Sequence, residues 1–211
     1  MDKIFKVFLS LSILIFSAST YVQAKSGDTT IGLTYGSGSG EVKLSGTKYD
    51  VDVDQTTLGF RTYMDGNIYV GGSLMSGELT LAGIKIDAEA TTFSGGYYDG
   101  DIDYIAGTGE LFRFGISASD VEVSLGSVSS SETTYNIGFG NQFGLGSGNA
   151  FHFSFSTDTD DLFSDNSYTG AFTKAYGSVI FEVGINYNIY VTDALNSGDS
   201  TYIFFGVGTV F

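Results

Sequence analysis

Apolar side chains occupy every second position along most of this chain, the spacing of a strand whose successive side chains point to opposite faces. Thr29 to Ser37 sets Ile31, Leu33 and Tyr35 against Thr30, Gly32, Thr34 and Gly36. A Gly/Ser-rich loop is expected next, around Gly36–Gly40. Val53 to Met64 then sets Leu58, Phe60 and Met64 against Gly59, Arg61 and Tyr63. Asp65-Gly66 is a tight-turn signal, and Ile68, Val70 and Leu74 resume against Tyr69, Gly71 and Ser73. Beyond a polar segment, Ser76 to Ala88, comes a weaker strand, Glu89 to Tyr98, with Asp99-Gly100-Asp101 expected as the next turn. Ile102 to Ser119 reads as a long strand with Phe112, Phe114 and Ile116 opposite Arg113 and Gly115.

After a Ser-rich loop, Tyr135, Ile137 and Phe139 alternate with Asn136, Gly138 and Gly140. Gly144 to Gly148 is a short turn. Phe151, Phe153 and Phe155 then alternate with His152, Ser154 and Ser156. Thr157 to Asn166 is acidic and loop-like, and Ser167 to Thr173 is a short strand. The longest unbroken alternation runs from Val179 to Val191, with Glu182, Asn186 and Asn188 on its second face. The chain ends on Phe211, and Thr209, Val207, Phe205 and Ile203 share its parity.

The repeating length is about 10 residues, which a tilted strand needs to cross a bilayer. The non-apolar face carries glycine, hydroxyls and amides, with Arg61, Arg113, Asn136, His152, Glu182, Asn186 and Asn188. A water-facing sheet would show Lys and Glu there instead. The pattern reads as a narrow polar interior, and in lipid only a closed ladder satisfies every strand donor and acceptor. The expectation is all-β: a single closed antiparallel up-and-down transmembrane β-barrel. Ten strands are favoured: counting Ser167–Thr173 gives ten and merging it into a loop gives nine, which an even count forbids, with eight strands and long loops as the alternative.

The first residues set the compartment. Lys3 and Lys6 precede the apolar run Val7–Ser17, and Val22-Gln23-Ala24 offers small residues at a cleavage spacing. Residues 1–24 read as a secretory signal peptide, leaving residues 25–211 as one barrel domain. The apolar run is too short for a spanning helix, which needs about 20 residues. Composition agrees. There are 30 Gly, 18 Phe and 14 Tyr but no Pro, Cys or Trp, so a disulfide framework is excluded and few backbone donors are missing from a ladder. The formal charge of −15 argues against nucleic acid as a partner.

The terminal strand, with Phe211 after Val207, Phe205 and Ile203, resembles the C-terminal signature of bacterial outer-membrane β-barrels. The whole mature chain resembles the small OmpA/OmpX-type, porin-like barrels in its leader, alternation and last residue. That resemblance implies recognition of Phe211, Val207, Phe205 and Ile203 by the barrel-assembly machinery. It also implies outer-membrane lipid and lipopolysaccharide as surroundings, and leaves an extracellular ligand open. The family holds structural proteins, adhesins, narrow channels and a few enzymes.

Candidate chemistry is sparse. Arg61, Arg113 and Glu182 could line a conducting path, but an eight- to ten-stranded barrel is filled by side chains, which favours a packed ion network. His152 and Ser154 resemble the catalytic pair of the outer-membrane lipid A deacylases, with Asp160, Asp161 or Asp165 as the orienting acid. The surrounding residues do not continue that motif, and His152 falls on the lumen face whereas an acyl chain approaches from lipid. Asp50, Asp52 and Asp54 share one strand face. Asp158, Asp160, Asp161 and Asp165 are weak candidates for a metal, lacking the loop Gly and terminal Glu of an EF-hand. No sequence feature points to a cofactor, and the chain reads as non-enzymatic with a structural or surface-interaction role.

Overall fold

The computed structural model describes residues 26–159, 165–193 and 196–211. Ten strands follow in order: β1 (Thr29–Leu44), β2 (Thr47–Met64), β3 (Ile68–Leu81), β4 (Ile84–Asp103) and β5 (Thr108–Leu125). They continue as β6 (Val128–Gly146), β7 (Asn149–Asp158), β8 (Asp165–Tyr176), β9 (Val179–Asp193) and β10 (Asn196–Val210). Each pairs antiparallel with its neighbour, and β1 with β10, closing the barrel. Both ends of the domain meet there: Phe211 N–H donates to the Thr29 carbonyl at 2.9 Å. The favoured count of ten holds.

Tracing paired residues round the barrel gives its tilt. From Lys174 the row runs through Phe181, Val207, Leu33, Leu58, Leu74, Thr91 and Asp120 to Thr133 on β6. The other way, through Asn149, it meets β6 at Gly146, past a register shift at Gly144. After that shift is discounted the stagger is about twelve residues, which for ten strands gives a tilt of about 40°.

The strands are longer than the alternation suggested, and they take in residues expected to lie in loops. Gly36–Gly40 lies within β1 because Tyr202 occupies the space its side chains would fill: a Cβ on Gly38 would sit 2.4 Å from Tyr202 Cβ. The Ser76–Ala88 segment is the β3–β4 hairpin, turning at Ala82-Gly83 with positive φ at both residues (50° and 81°), as a type I′ turn requires. The Ser-rich stretch is the β5–β6 hairpin around Gly126. Asp99-Gly100-Asp101 is no turn; β4 continues through it and reverses at Tyr104–Gly107, where Asp103 Oδ1 accepts from Ala106 N–H at 2.9 Å. Thr157 and Asp158 belong to β7, and Asp165 and Asn166 to β8.

The direction of burial reverses along the barrel. In the half nearer the chain ends, Ile31, Leu33, Leu58, Phe60, Ile68, Leu74, Phe114, Phe153, Phe181 and Phe205 point outward and exposed. Projected through the tilt, this apolar belt is about 20–25 Å tall, the height of a lipid-facing band. Tyr35, Tyr135, Tyr168 and Tyr187 stand at its upper edge, and Tyr97, Tyr176 and Phe211 at its lower. Above the belt the same parity carries Asp50, Asp52, Asp54, Glu78, Asp87, Glu89, Asp120 and Glu122 outward, while Val42, Val51, Val53, Leu79, Leu81, Ile86, Val121 and Val123 form a buried inner core. The expectation of a polar lumen throughout therefore fails in the upper third. There the outer surface meets water rather than acyl chains, so the apolar side chains turn inward.

Candidate functional site: the charged layer of the lumen

Parity sends Arg61 on β2, Arg113 on β5, His152 on β7 and Glu182 on β9 into the lumen, and all four are buried. The stagger places them within about 2 Å of one height. Arg113 Nη1 donates to Tyr63 Oη at 3.2 Å, and Arg113 Nη2 faces His152 Nε2 at 3.3 Å. A guanidinium can only donate, so Nε2 accepts and the imidazole carries its proton on Nδ1. That nitrogen faces Glu182 Oε1 at 3.9 Å. Arg61 lies over the Tyr69 ring, 4.8 Å from its centroid, in cation–π geometry.

Tyr69 reaches this layer across a strand that makes room for it. A Cβ on Gly115 would fall 2.1 Å from Tyr69 Oη, so only glycine admits the phenol. Tyr63 packs edge-on against Tyr98 at 5.1 Å. Beneath the layer, Ile102, Tyr104, Leu111, Ala150, Ala175 and Ile180 join these tyrosines in a packed apolar floor. The β4–β5 turn is stitched across it, with Gly146 N–H donating to the Gly107 carbonyl at 2.6 Å and Gly148 N–H to the Ala106 carbonyl at 3.2 Å. Apolar packing thus lies at both ends of the polar section.

The amides stand higher. Asn186 Nδ2 donates to Ser167 Oγ at 3.0 Å and Thr169 Oγ1 at 2.7 Å, and Asn188 Nδ2 to Ser200 Oγ at 3.3 Å. Asn136, half-buried, lines a cavity of about 140 Å³ that also touches Arg61, Arg113 and His152. The seven residues singled out by parity therefore face one lumen, split between a charged layer and an amide layer. Tyr63, Tyr69, Tyr104 and Gln142 were not singled out. Parity placed Tyr63 and Tyr69 on the inner face, but nothing in the sequence showed that a tyrosine hydroxyl would meet an arginine fifty residues away.

Ser154 shares the lumen with His152, but Nε2 is occupied by Arg113 rather than turned to a serine. Asp158 is buried on the inner face of β7, six residues from His152, and Asp165 opens β8. Asp160, Asp161 and the leader, residues 1–24, lie outside the described residues. Among the described residues no three acidic, His or Cys side chains converge as metal ligands. Phe211, Phe205, Val207 and Ile203 line the outer face of the closing strand.

A closed ladder, an apolar belt and aromatic edges around a polar, side-chain-filled lumen define an outer-membrane β-barrel. Among solved structures the chain is similar to an outer membrane channel from Pseudomonas putida F1, with a TM-score of 0.52 at 9% identity over 92% of this chain and 99% of that one. It is also similar to the translocator domain of the autotransporter NalP from Neisseria meningitidis, with a TM-score of 0.50 at 11% identity over 99% and 95%. At such identities what is shared is the fold. No family model and no curated protein sequence matches the chain.

Proposed function

We propose that this chain is a non-enzymatic protein of the bacterial outer membrane, closed to solute passage, whose role is structural or surface-interacting. The observation that carries the reading is the lumen's apolar closure at both ends: the Val42–Leu79–Val121 core above and the Tyr98–Ile102–Tyr104 floor below. A barrel of this width with filled ends has no continuous aqueous path. The part standing above the belt, about 10–15 Å by the same projection, is a rigid water-facing cylinder. Its surface is acidic, with Asp54 directly opposite Glu78, Glu78 opposite Asp87, and Glu89 opposite Glu122. Like charges so placed destabilise a sheet, and their retention favours a surface task among lipopolysaccharide or at an extracellular partner.

The leader supports export, and the alternating terminal strand supports delivery by the assembly machinery. A channel is the second reading, favoured by the charged layer and by the likeness to the P. putida outer membrane channel. Planar-bilayer recording separates the two. The closed barrel gives no steady conductance steps, whereas ion-selective steps abolished by Arg113→Gln or Glu182→Gln would overturn the reading. For the hydrolase reading, lipid A from cells with intact protein and with His152→Ala is expected to show the same acyl pattern by mass spectrometry.

A further inference from the structure

The barrel wall steps down at β7. β6 runs 19 residues and β7 only 10, so their ladder stops at Asn136 opposite Asp158 and one further bond, from Thr159 N–H to the Tyr135 carbonyl at 2.9 Å. Above that point Val128–Thr134 of β6 pair with β5 on one side only. In an antiparallel ladder the N–H and C=O of one residue point to the same side, and the next residue's to the other. The Tyr135 carbonyl points toward β7, so the backbone groups of Thr133, Ser131 and Ser129 point the same way. Among the described residues no strand meets them there, and all three residues are exposed.

Such an edge is a template for another extended chain, and natural sheets blunt it with lysine, a bulge or extreme shortness. Val128–Thr134 contains no lysine, and its register with β5 runs without a shift. The charges around it set the partner. Glu132 stands exposed on the edge strand itself, and on β5 Asp120 and Glu122 lie directly opposite Thr133 and Ser131. A strand added beyond β6 would lie about 9.6 Å from β5, two interstrand spacings. Only the short side chains of Ser131 and Thr133 stand between on the outer face, which leaves a Lys or Arg side chain a path to both carboxylates. On the inner face Val128, 55% exposed, offers an apolar contact. We propose that the upper edge of β6, Ser129–Thr133, docks an extended, basic segment of an extracellular polypeptide as an added antiparallel strand. A second copy of this chain does not suit the edge: it would set Glu132 against Glu132, and barrels in one membrane run their β6 strands in the same direction. The inference rests on the surface-interaction reading and names the chemistry of the partner.

The test is residue-resolved amide hydrogen exchange on the folded barrel in zwitterionic nanodiscs, alone and with a short synthetic peptide alternating Lys and Val or its Glu/Val counterpart. In the free barrel the amides of Ser129, Ser131 and Thr133 are expected to exchange within about tenfold of the unstructured rate, and those of Ser130, Glu132 and Thr134, bonded to β5, more slowly. The Lys/Val peptide at about 1 mM should slow the first three at least about twofold, as a Kd near 1 mM requires, and the Glu/Val peptide should not. Slow exchange at those three amides before any peptide is added means that the edge is already covered, and overturns the proposal. No slowing by the Lys/Val peptide, or equal slowing by both peptides, overturns it too. Ser131→Pro removes a donor that makes no ladder bond, a change edge strands tolerate, and is expected to abolish the slowing at Ser129 and Thr133. Should that variant not fold, Asp120→Asn with Glu122→Gln is expected to weaken the slowing. Unchanged slowing in the variant that folds would refute the assignment to this edge. Conductance steps would overturn the closed-barrel reading without touching this readout, so the two failures are told apart.

Discussion

Leu79 puts the reversal of burial to the sharpest test. It sits in the upper third of the barrel, fully buried at 0% exposure, directly opposite Val53 on one side and Ile86 on the other. Leu79→Ala removes three carbons, about 2.4 kcal/mol of transfer free energy at 0.8 kcal/mol per buried methylene. The neighbours are β-sheet side chains fixed by register and cannot close the gap fully, so a cavity contribution is added. The expected loss is about 2.7–5 kcal/mol. Glu78→Ala, one residue away and outward-facing, is expected to stay within about 0.5 kcal/mol. The assay is equilibrium urea unfolding in micelles, followed by far-ultraviolet circular dichroism, with amide exchange of β2–β4 to detect unfolding confined to the upper third. If the upper lumen were instead a wet mouth, Leu79 would already touch water. A loss under about 1 kcal/mol, with unchanged exchange, would refute the packed core.

Gly115→Val should destabilise by about 1–3 kcal/mol by evicting the Tyr69 phenol, and Gly59→Ala should be tolerated because its nearest neighbour would lie at 3.6 Å; paired unfolding curves check both. Phe211→Ala should change stability in micelles by less than about 1 kcal/mol, since the ring is 70% exposed and the backbone bond to Thr29 survives. The same variant should reduce the amount of barrel reaching the outer membrane, measured by fractionation, if the terminal aromatic is the assembly signal. Lys85 donates to Glu78 at 2.7 Å, which raises its ammonium above the ordinary lysine value. The pair's small stabilisation is therefore complete below the unfolded lysine value and fades as pH rises through the folded one. An NMR titration of Lys85 should show the upward shift, and Glu78→Gln should abolish it.

The period-two alternation was legible from Thr29 to Phe211 because side-chain parity is a local property of extended backbone, independent of what each face meets. It identified the strands in the belt, placed Arg61, Arg113, His152 and Glu182 on one face, and implied closure once lipid was assumed. Turn positions were less legible. Asp99-Gly100 looks like a hairpin turn, yet ladder bonds to Leu111 and Glu110 carry β4 past it. Gly36–Gly40 looks like a loop because its glycines answer to Tyr202, which is distant in sequence.

Parity tells which side chains share a face but not whether that face looks inward or outward at a given height. Leu58 and Val53 are both apolar, yet one faces out and the other in, and only the height of the belt on the closed cylinder separates them. The meeting of Arg113 with Tyr63 and His152 depends likewise on stagger, because a shift of two residues in register moves a side chain by about 7 Å. The sequence by itself determined the belt strands and which of their side chains share a face, since these follow from local alternation. The tertiary structure alone decided the reversal of burial, the apolar packing at both ends of the polar section and the meeting of Arg113 with Tyr63 and His152, because each depends on which residues closure brings to the same height.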